Sequence, residues 1–166
     1  MELYFRKGKE NDLSEIIDLT ASAVSQMERF GIMQWDELYP AAEDFTADIA
    51  AEQLYTGLIR SRIAVIYVLN QQYDEDYKQG TWKSPEEPFM ILHRLCVHPK
   101  FQNTGIAGKT MAHIESQVKR LGINAIRLDV FSQNPFALKL YKKCGYTQTG
   151  TANWRKGMFY LMEKYL

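Results

Sequence analysis

The chain has 166 residues, 46% apolar and 13% aromatic, and its 20 basic and 20 acidic residues cancel to a formal charge of zero. That length suits a single domain, read as spanning residues 1–166, with enough apolar side chain for a real core. Neutral charge gives no sign of a general affinity for nucleic acid or anionic membrane, though it leaves room for a local basic patch; no apolar run approaches the ~20 residues of a membrane span, and MELYFRKGKENDL carries no signal core, so a cytoplasmic protein with neither partner is expected.

Leu3–Arg6 reads as a first short strand. Asp12 followed by Glu15 has the form of a capping box, and Leu13, Ile16, Ile17, Val24 and Met27 then recur at helical spacing until Gly31. The aromatic connector MQWDELYP follows. Phe45–Leu54 reads as a second helix. Tyr55–Leu69 is strand-like, with a turn at Arg60-Ser61-Arg62. Residues 70–89 are polar and acidic, punctuated by Gly80, Pro85 and Pro88, and read as a long hairpin loop. Two readings of that loop stay open: a loose surface connection, or a substrate-facing flap that uses Tyr73, Tyr77 and Trp82. Met90–Val97 is the next strand.

Ala107, Met111, Ile114, Val118 and Leu121 then line one face of an amphipathic helix that Gly122 stops. Ala125–Phe131 is a further strand. Asn134 suits a helix N-cap, Pro135 the first turn and Gly145 the C-cap, with Ala137, Leu138 and Tyr141 on one face between them. Tyr146–Gln148 and Met158–Met162 read as closing strands. The order predicts a mixed α/β domain. Cys96 and Cys144 lie in apolar segments and read as buried, reduced thiols. His93, His98 and His113 lack metal-ligand spacing, so no metal is expected.

The segment CVHPKFQNTGIAGKT can be read in two frames. Gly108-Lys109-Thr110 imitates the end of a P-loop, but the glycine required five positions before Gly108 is Asn103. That glycine lets backbone N–H groups turn around the phosphates. The chain after Thr110 is also too short for several further βαβ units of about 30 residues each. In the other frame Gln102-Asn103-Thr104-Gly105-Ile106-Ala107 fits (Gln/Arg)-x-x-Gly-x-(Gly/Ala) between a strand and a helix. Gly105 permits a tight bend, and small Ala107 and Gly108 let a ligand approach the backbone. The first helical N–H groups lack partners within the helix, and the dipole favours an anion there. A pyrophosphate suits such a site, with Lys109 and Lys100 adding charge.

With MILHRLCVHP before it and IRLDVFSQNPFALKLYKKCGY after it, this segment resembles the GNAT superfamily of acetyl-CoA-dependent N-acetyltransferases. The resemblance covers about residues 90–148. Gln102 stands where many members have arginine, and Ala107 replaces the commoner glycine. The implied fold is a mixed, mostly antiparallel central sheet with splayed fourth and fifth strands, flanked by about four helices. The implied co-substrate is acetyl-CoA.

The resemblance assigns the pantetheine arm to the backbone of Leu95, Cys96 and Val97. It assigns the pyrophosphate to Gln102, Asn103, Thr104, Gly105, Ile106, Ala107, Gly108 and Lys109. Asn134 and Leu138 fall near the pantetheine, and Tyr141 faces the CoA sulfur. Transfer requires an amine to attack the thioester, an oxyanion to form and a thiolate to leave. A phenol of ordinary pKa ~10 can hydrogen-bond or protonate that thiolate, and an N–H of the fourth strand can polarise the thioester oxygen. His93 is the first candidate for the base that takes the amine's proton, and Asp129 the second. Asp129 could instead pair with Arg94 or Arg127 or hydrogen-bond backbone where the strands diverge, His93 could be structural, and a water chain is the third way to remove the proton. Tyr4 and Trp35 are loose acceptor-site candidates.

The acceptor class is an amine, on a small molecule, peptide or protein. Charge and aromatic rings in 70–89 point weakly to a cationic ligand. Dimerisation is common in the family. A non-catalytic CoA-binding sensor or interaction module is the alternative reading, because such a fold can bind without transferring anything.

Overall fold

A computed structural model describes residues 2–166. In chain order the elements are β1 (Tyr4–Lys7), α1 (Leu13–Arg29), α2 (Ala42–Ala50), β2 (Leu54–Ile59), β3 (Arg62–Asn70), β4 (Met90–Val97), α3 (Ile106–Arg120), β5 (Ala125–Phe131), α4 (Pro135–Lys143), β6 (Thr147–Trp154) and β7 (Gly157–Tyr165). Strand order is β1-β2-β3-β4-β5-β7-β6. β4 runs parallel to β5, while β1/β2, β2/β3, β5/β7 and β6/β7 are antiparallel. Register between β4 and β5 is confined to Met90↔Ile126 and Ile91↔Arg127, whereas β5 stays paired with β7 as far as Phe131. This is the expected mixed sheet with a splayed central pair and four flanking helices.

The chain divides into two compact units, Met1–Leu69 with Arg94–Thr110, and Asn70–His93 with Met111–Leu166. β4 and α3 each pass through both. In the first unit, Ile16, Leu19 and Ala23 of α1 recur at spacings of three and four. They bury against Phe45 and Ile49 of α2, Ile63, Ile66 and Val68 of β3, and Cys96 of β4. On the opposite sheet face Ile59, Ala64, Val65 and Ile106 gather Leu95, Val97 and Phe101. Each such side chain removed from water contributes about 1.5–3 kcal/mol before entropy is subtracted.

Three local expectations are corrected here. The core stripe of α1 is Ile16, Leu19 and Ala23, and Ile17 is exposed. Asp12 and Glu15 do not form a capping box: Asp12 accepts Lys9 N–H at 2.7 Å and is paired with Arg6, while Glu15 accepts the N–H of Ile63 at 2.6 Å. The second helix starts and stops earlier than expected, because the Asp44 carboxylate takes the Ala41 N–H at 2.7 Å and Glu52 leaves helical backbone at φ 57°.

In the second unit, residues 70–89 are not a loose connection. A short 3-10 turn, Glu75–Gln79, buries Tyr77. Tyr77 packs with Ile91, Ala152 and Leu161, and Trp82, Phe89 and Trp154 complete the cluster. Its ring stacks with Trp82 and Trp154 at centroid distances of 5.9 and 6.5 Å. Polar atoms fasten the same segment. The Trp154 indole donates to Asp76 at 2.8 Å, the Trp82 indole donates to the Tyr77 carbonyl at 2.8 Å, and Lys83 N–H donates to Glu163 at 3.0 Å. Buried Arg127 bonds Glu163 at 3.0 Å and lies 4.3 and 3.8 Å from the ring centroids of Trp82 and Phe89. Tyr77 and Trp82 are thus occupied by one another and by Trp154, while Tyr73 stays exposed.

Candidate active site

The first unit contains the segment read as a phosphate cradle. β4 ends at Val97, and His98 caps a 3-10 turn by accepting the Lys100 N–H on its side chain at 3.1 Å. The chain then enters left-handed backbone twice, at Asn103 (φ 60°) and Gly105 (φ 84°). Asparagine tolerates that region, and glycine enters it without steric penalty. Thr104 folds its hydroxyl onto the Phe101 carbonyl.

α3 begins at Ile106, and the bond from Lys109 N–H to the Gly105 carbonyl, 3.1 Å, closes its first turn. By helix geometry the amides of Ile106, Ala107 and Gly108 precede the first possible intrahelical acceptor. Asn103, Thr104, Gly105, Gly108 and Lys109 are exposed. A Cβ built on Gly105 or Gly108 meets nothing within 4 Å. The residues therefore suit an anion that lies close to the backbone: open, small, rich in free N–H and next to a lysine.

Gln102 has a role the sequence did not suggest. Its side-chain amide donates to the Val97 carbonyl at 3.2 Å, pinning the loop to the strand end. A glutamine where arginine is commoner thus serves the loop's own shape. Leu95 and Val97 pack on one sheet face and Cys96 on the other. The Cys96 thiol is fully buried and pushed by desolvation to about 12. It is a packing group, as expected, and a poor nucleophile. Trp35 packs against the α1–α2 core, and Tyr4 stands exposed on β1.

The remaining candidates lie in the second unit. Asn134 caps α4 by accepting the Ala137 N–H at 3.1 Å and is 9% exposed. Leu138 is half-buried. Tyr141 is 8% exposed and sits edge-on to Tyr146 with centroids 6.0 Å apart. Burial above all, then the charge of Asp129, pushes its phenol well above the ordinary 10.0.

Asp129 pairs with neither of the arginines considered for it. Its Oδ2 accepts the Tyr77 hydroxyl at 2.6 Å, while Arg94 pairs with Asp48 and Arg127 with Glu163. His93 directs Nε2 at the Asn70 side-chain oxygen, 2.8 Å, and the Gln72 carbonyl, 3.1 Å. Both contacts suit an Nε2–H tautomer, which can donate to either oxygen. Nothing local in the sequence signals the Tyr77–Asp129 or Arg94–Asp48 contacts, which join residues 52 and 46 positions apart.

Three of these buried groups set a pH dependence. Cys96, Tyr141 and Tyr146 are neutral when protonated, and burial raises all three. The stability they carry is whole below their ordinary values of 9.0 and 10.0 and is lost as pH rises through the shifted ones. For Cys96 that window runs from pH 9.0 to about 12. Each proton steepens the slope by up to about 1.4 kcal/mol per pH unit. Urea unfolding should therefore show little change from about pH 7 to 8 and a marked fall by about pH 10.5. A flat profile to that point would contradict the burial of these groups.

A separate recess of about 390 Å³ in the first unit lies between α1 and the α1–α2 connector and includes no cradle residue. Ile17, Val24, Pro40 and Phe45 give it apolar walls, and Glu28 and Glu37 are acidic lining residues. No group of three or more His, Cys, Asp or Glu able to hold a metal is present among the described residues. No helix among them is long and apolar enough to cross a membrane.

The acetyltransferase (GNAT) family profile matches residues 35–146, about two thirds of the chain. A GNAT-family acetyltransferase from Streptococcus agalactiae superposes with a TM-score of 0.89 at 21% identity, covering 99% of this chain and 95% of that one. The PaiA N-acetyltransferase from Thermoplasma acidophilum, solved in complex with coenzyme A, superposes with a TM-score of 0.75 at 18% identity, covering all of both chains. Among curated proteins, the L-methionine sulfoximine/L-methionine sulfone acetyltransferase of Salmonella typhimurium is 27% identical over 71 residues. That match spans 42% of each chain. The profile match, the splayed mixed sheet and the glycine-bearing turn into α3 agree, and the chain belongs to the GNAT acetyltransferase family.

Proposed function

We propose that this protein transfers the acetyl group of acetyl-CoA to a primary amine by direct attack in a ternary complex. The observation that carries the proposal is the turn into α3. Gly105 at φ 84° and open space over Gly105 and Gly108 expose the first amides of the helix. That arrangement fits a pyrophosphate.

Acetyl-CoA, when bound, supplies the thioester that the amine attacks. The amides from Asn103 to Gly108 hold the pyrophosphate, since the Gln102 N–H already donates to the Pro99 carbonyl at 3.3 Å, and Lys109 adds positive charge. The backbone of Leu95, Cys96 and Val97 binds the pantetheine, with Asn134 and Leu138 assigned to the same arm. Tyr141 donates its hydroxyl proton in a hydrogen bond to the departing thiolate. A phenol so reluctant to ionise acts by donation more readily than by full proton loss. His93 takes the acceptor's proton, and Asp129 is the second candidate for that task. Cys96, buried and hard to ionise, offers no route to an acetyl-enzyme, which favours direct transfer.

The acceptor is an amine. Since Tyr77 and Trp82 are packed internally, the acidic, apolar-walled recess by α1 is the better support for a cationic acceptor. The curated relative's name adds L-methionine sulfoximine and L-methionine sulfone to the panel worth testing.

The test is a thermal-shift comparison of acetyl-CoA, CoA and Mg-ATP at matched concentrations. A ligand bound only by the native state raises the melting temperature by mass action, about 2.7 kcal/mol at a hundred times Kd. Stabilisation by both CoA species and none by ATP is expected. Stabilisation by ATP alone would overturn the reading. Thiol release over an amine panel then separates transfer from mere binding.

A further inference from the structure

Arg94 occupies left-handed backbone, φ 50°, inside β4, immediately before Leu95. A residue with a Cβ is disfavoured there by about 1–2 kcal/mol, and glycine is the usual occupant. A left-handed residue within a strand turns the peptide planes that follow it and re-aims their groups, as a bulge does. Something must therefore hold the bend, and the contacts of the Arg94 side chain identify it. Nε and Nη2 grip both oxygens of Asp48 on α2, at 2.8 and 2.6 Å. Nη1 donates to the Tyr39 hydroxyl at 2.7 Å. The pair is nearly dry, with side chains 14% and 8% exposed. Burial raises the Asp48 carboxyl above its ordinary value even against the Arg94 bonds. A buried pair of that kind is a weak stabiliser, and geometry is the role left to it.

We infer that Arg94 is a positioning residue: its fork on Asp48 and its bond to Tyr39 hold the left-handed bend of β4 and thereby aim the backbone of Leu95, Cys96 and Val97 at the cofactor. The inference rests on the acetyl-CoA reading above. It predicts that the requirement at position 94 is conformational. With the clamp removed, glycine should serve better than alanine, although glycine is ordinarily the worse residue in a strand.

The experiment compares two double variants, Asp48→Asn/Arg94→Gly and Asp48→Asn/Arg94→Ala. Both lack the guanidinium and the lone buried carboxylate, so they differ only in the freedom of residue 94. Calorimetric titration with coenzyme A should find the alanine variant about fivefold or more weaker than the glycine variant, the ratio set by the left-handed penalty. Hydrogen exchange at Leu95, Cys96 and Val97 should be faster in the alanine variant. Equal affinities, or a weaker glycine variant, would overturn the inference while leaving the acetyl-CoA reading intact. No binding by the parent protein would overturn both. Should the double variants not fold, Asp48→Asn alone decides: faster exchange at the three amides with weaker CoA binding supports the inference, and parent-like values for both overturn it.

Discussion

Gly108→Glu is expected to remove most coenzyme A binding while leaving the fold at least as stable as the parent. Gly108 is the third residue of α3, and a Cβ there meets nothing within 4 Å. The protein itself therefore has no objection to a side chain. Helix propensity favours the change by up to about 1 kcal/mol, and a carboxylate in the first turn is favourable to the helix dipole. The ligand is what objects. A new negative charge about 5 Å from a pyrophosphate, at an effective dielectric near 20, opposes binding by about 3 kcal/mol, or roughly a hundredfold. Gly108→Ala should lose less affinity, since it adds bulk without charge. Calorimetric titration and thermal unfolding on the same samples check both halves. A Gly108→Glu protein with parent affinity would show that the α3 N-terminus is not the phosphate site.

The cradle was legible in the sequence because its determinants are local. Gly105 implies a left-handed turn wherever it falls between a strand and an amphipathic stripe, and φ 84° is the observed result. Asn134 was legible for the same reason: a cap acts on N–H groups two or three residues away, here Ala137. The seven strands followed from alternation and turn residues, though β6 and β7 extend well past the stretches first read as strands. Their hairpin closes on the Trp154↔Gly157 pair, and polar residues such as Asn153 and Lys164 diluted the apolar signal.

What could not be read depends on partners distant in sequence. Tyr77 looked like a costly exposed aromatic only because Asp129, Trp82 and Trp154 were not known to surround it. Once those contacts exist, the acidic character of 70–89 has structural uses: Asp76 receives the Trp154 indole, and Asp74 caps the 3-10 turn through the Asp76 N–H at 2.9 Å. The α1 stripe misled for a related reason. Ile16 and Ile17 are adjacent apolar residues, and periodicity accepts either one. Packing against Phe45 and Ile66 selects Ile16. Arg94 had no local signal at all, because an arginine in left-handed backbone is a choice made by its partners.

Tyr141→Phe should lower kcat by about a hundredfold or more, the usual effect of losing a positioned proton donor, with coenzyme A affinity within about twofold of the parent. The two side chains share a shape, so the edge-on packing against Tyr146 survives. No described side chain hydrogen-bonds the Tyr141 hydroxyl, so its removal strands no buried partner and stability should barely move. The raised pKa makes the same claim in another form. Burial and the charge of Asp129 keep the phenol protonated far above neutrality, so the donor is present throughout the range in which an amine acceptor loses its own proton. The parent's rate should then show no alkaline fall attributable to this residue below about pH 10. Steady-state kinetics on parent and variant, with acetyl-CoA and the best amine from the panel, separate the terms. An unchanged kcat would take Tyr141 out of the chemistry. A fall in affinity equal to the fall in kcat would make it a binding residue, and thiolate departure would then fall to a backbone N–H or to solvent.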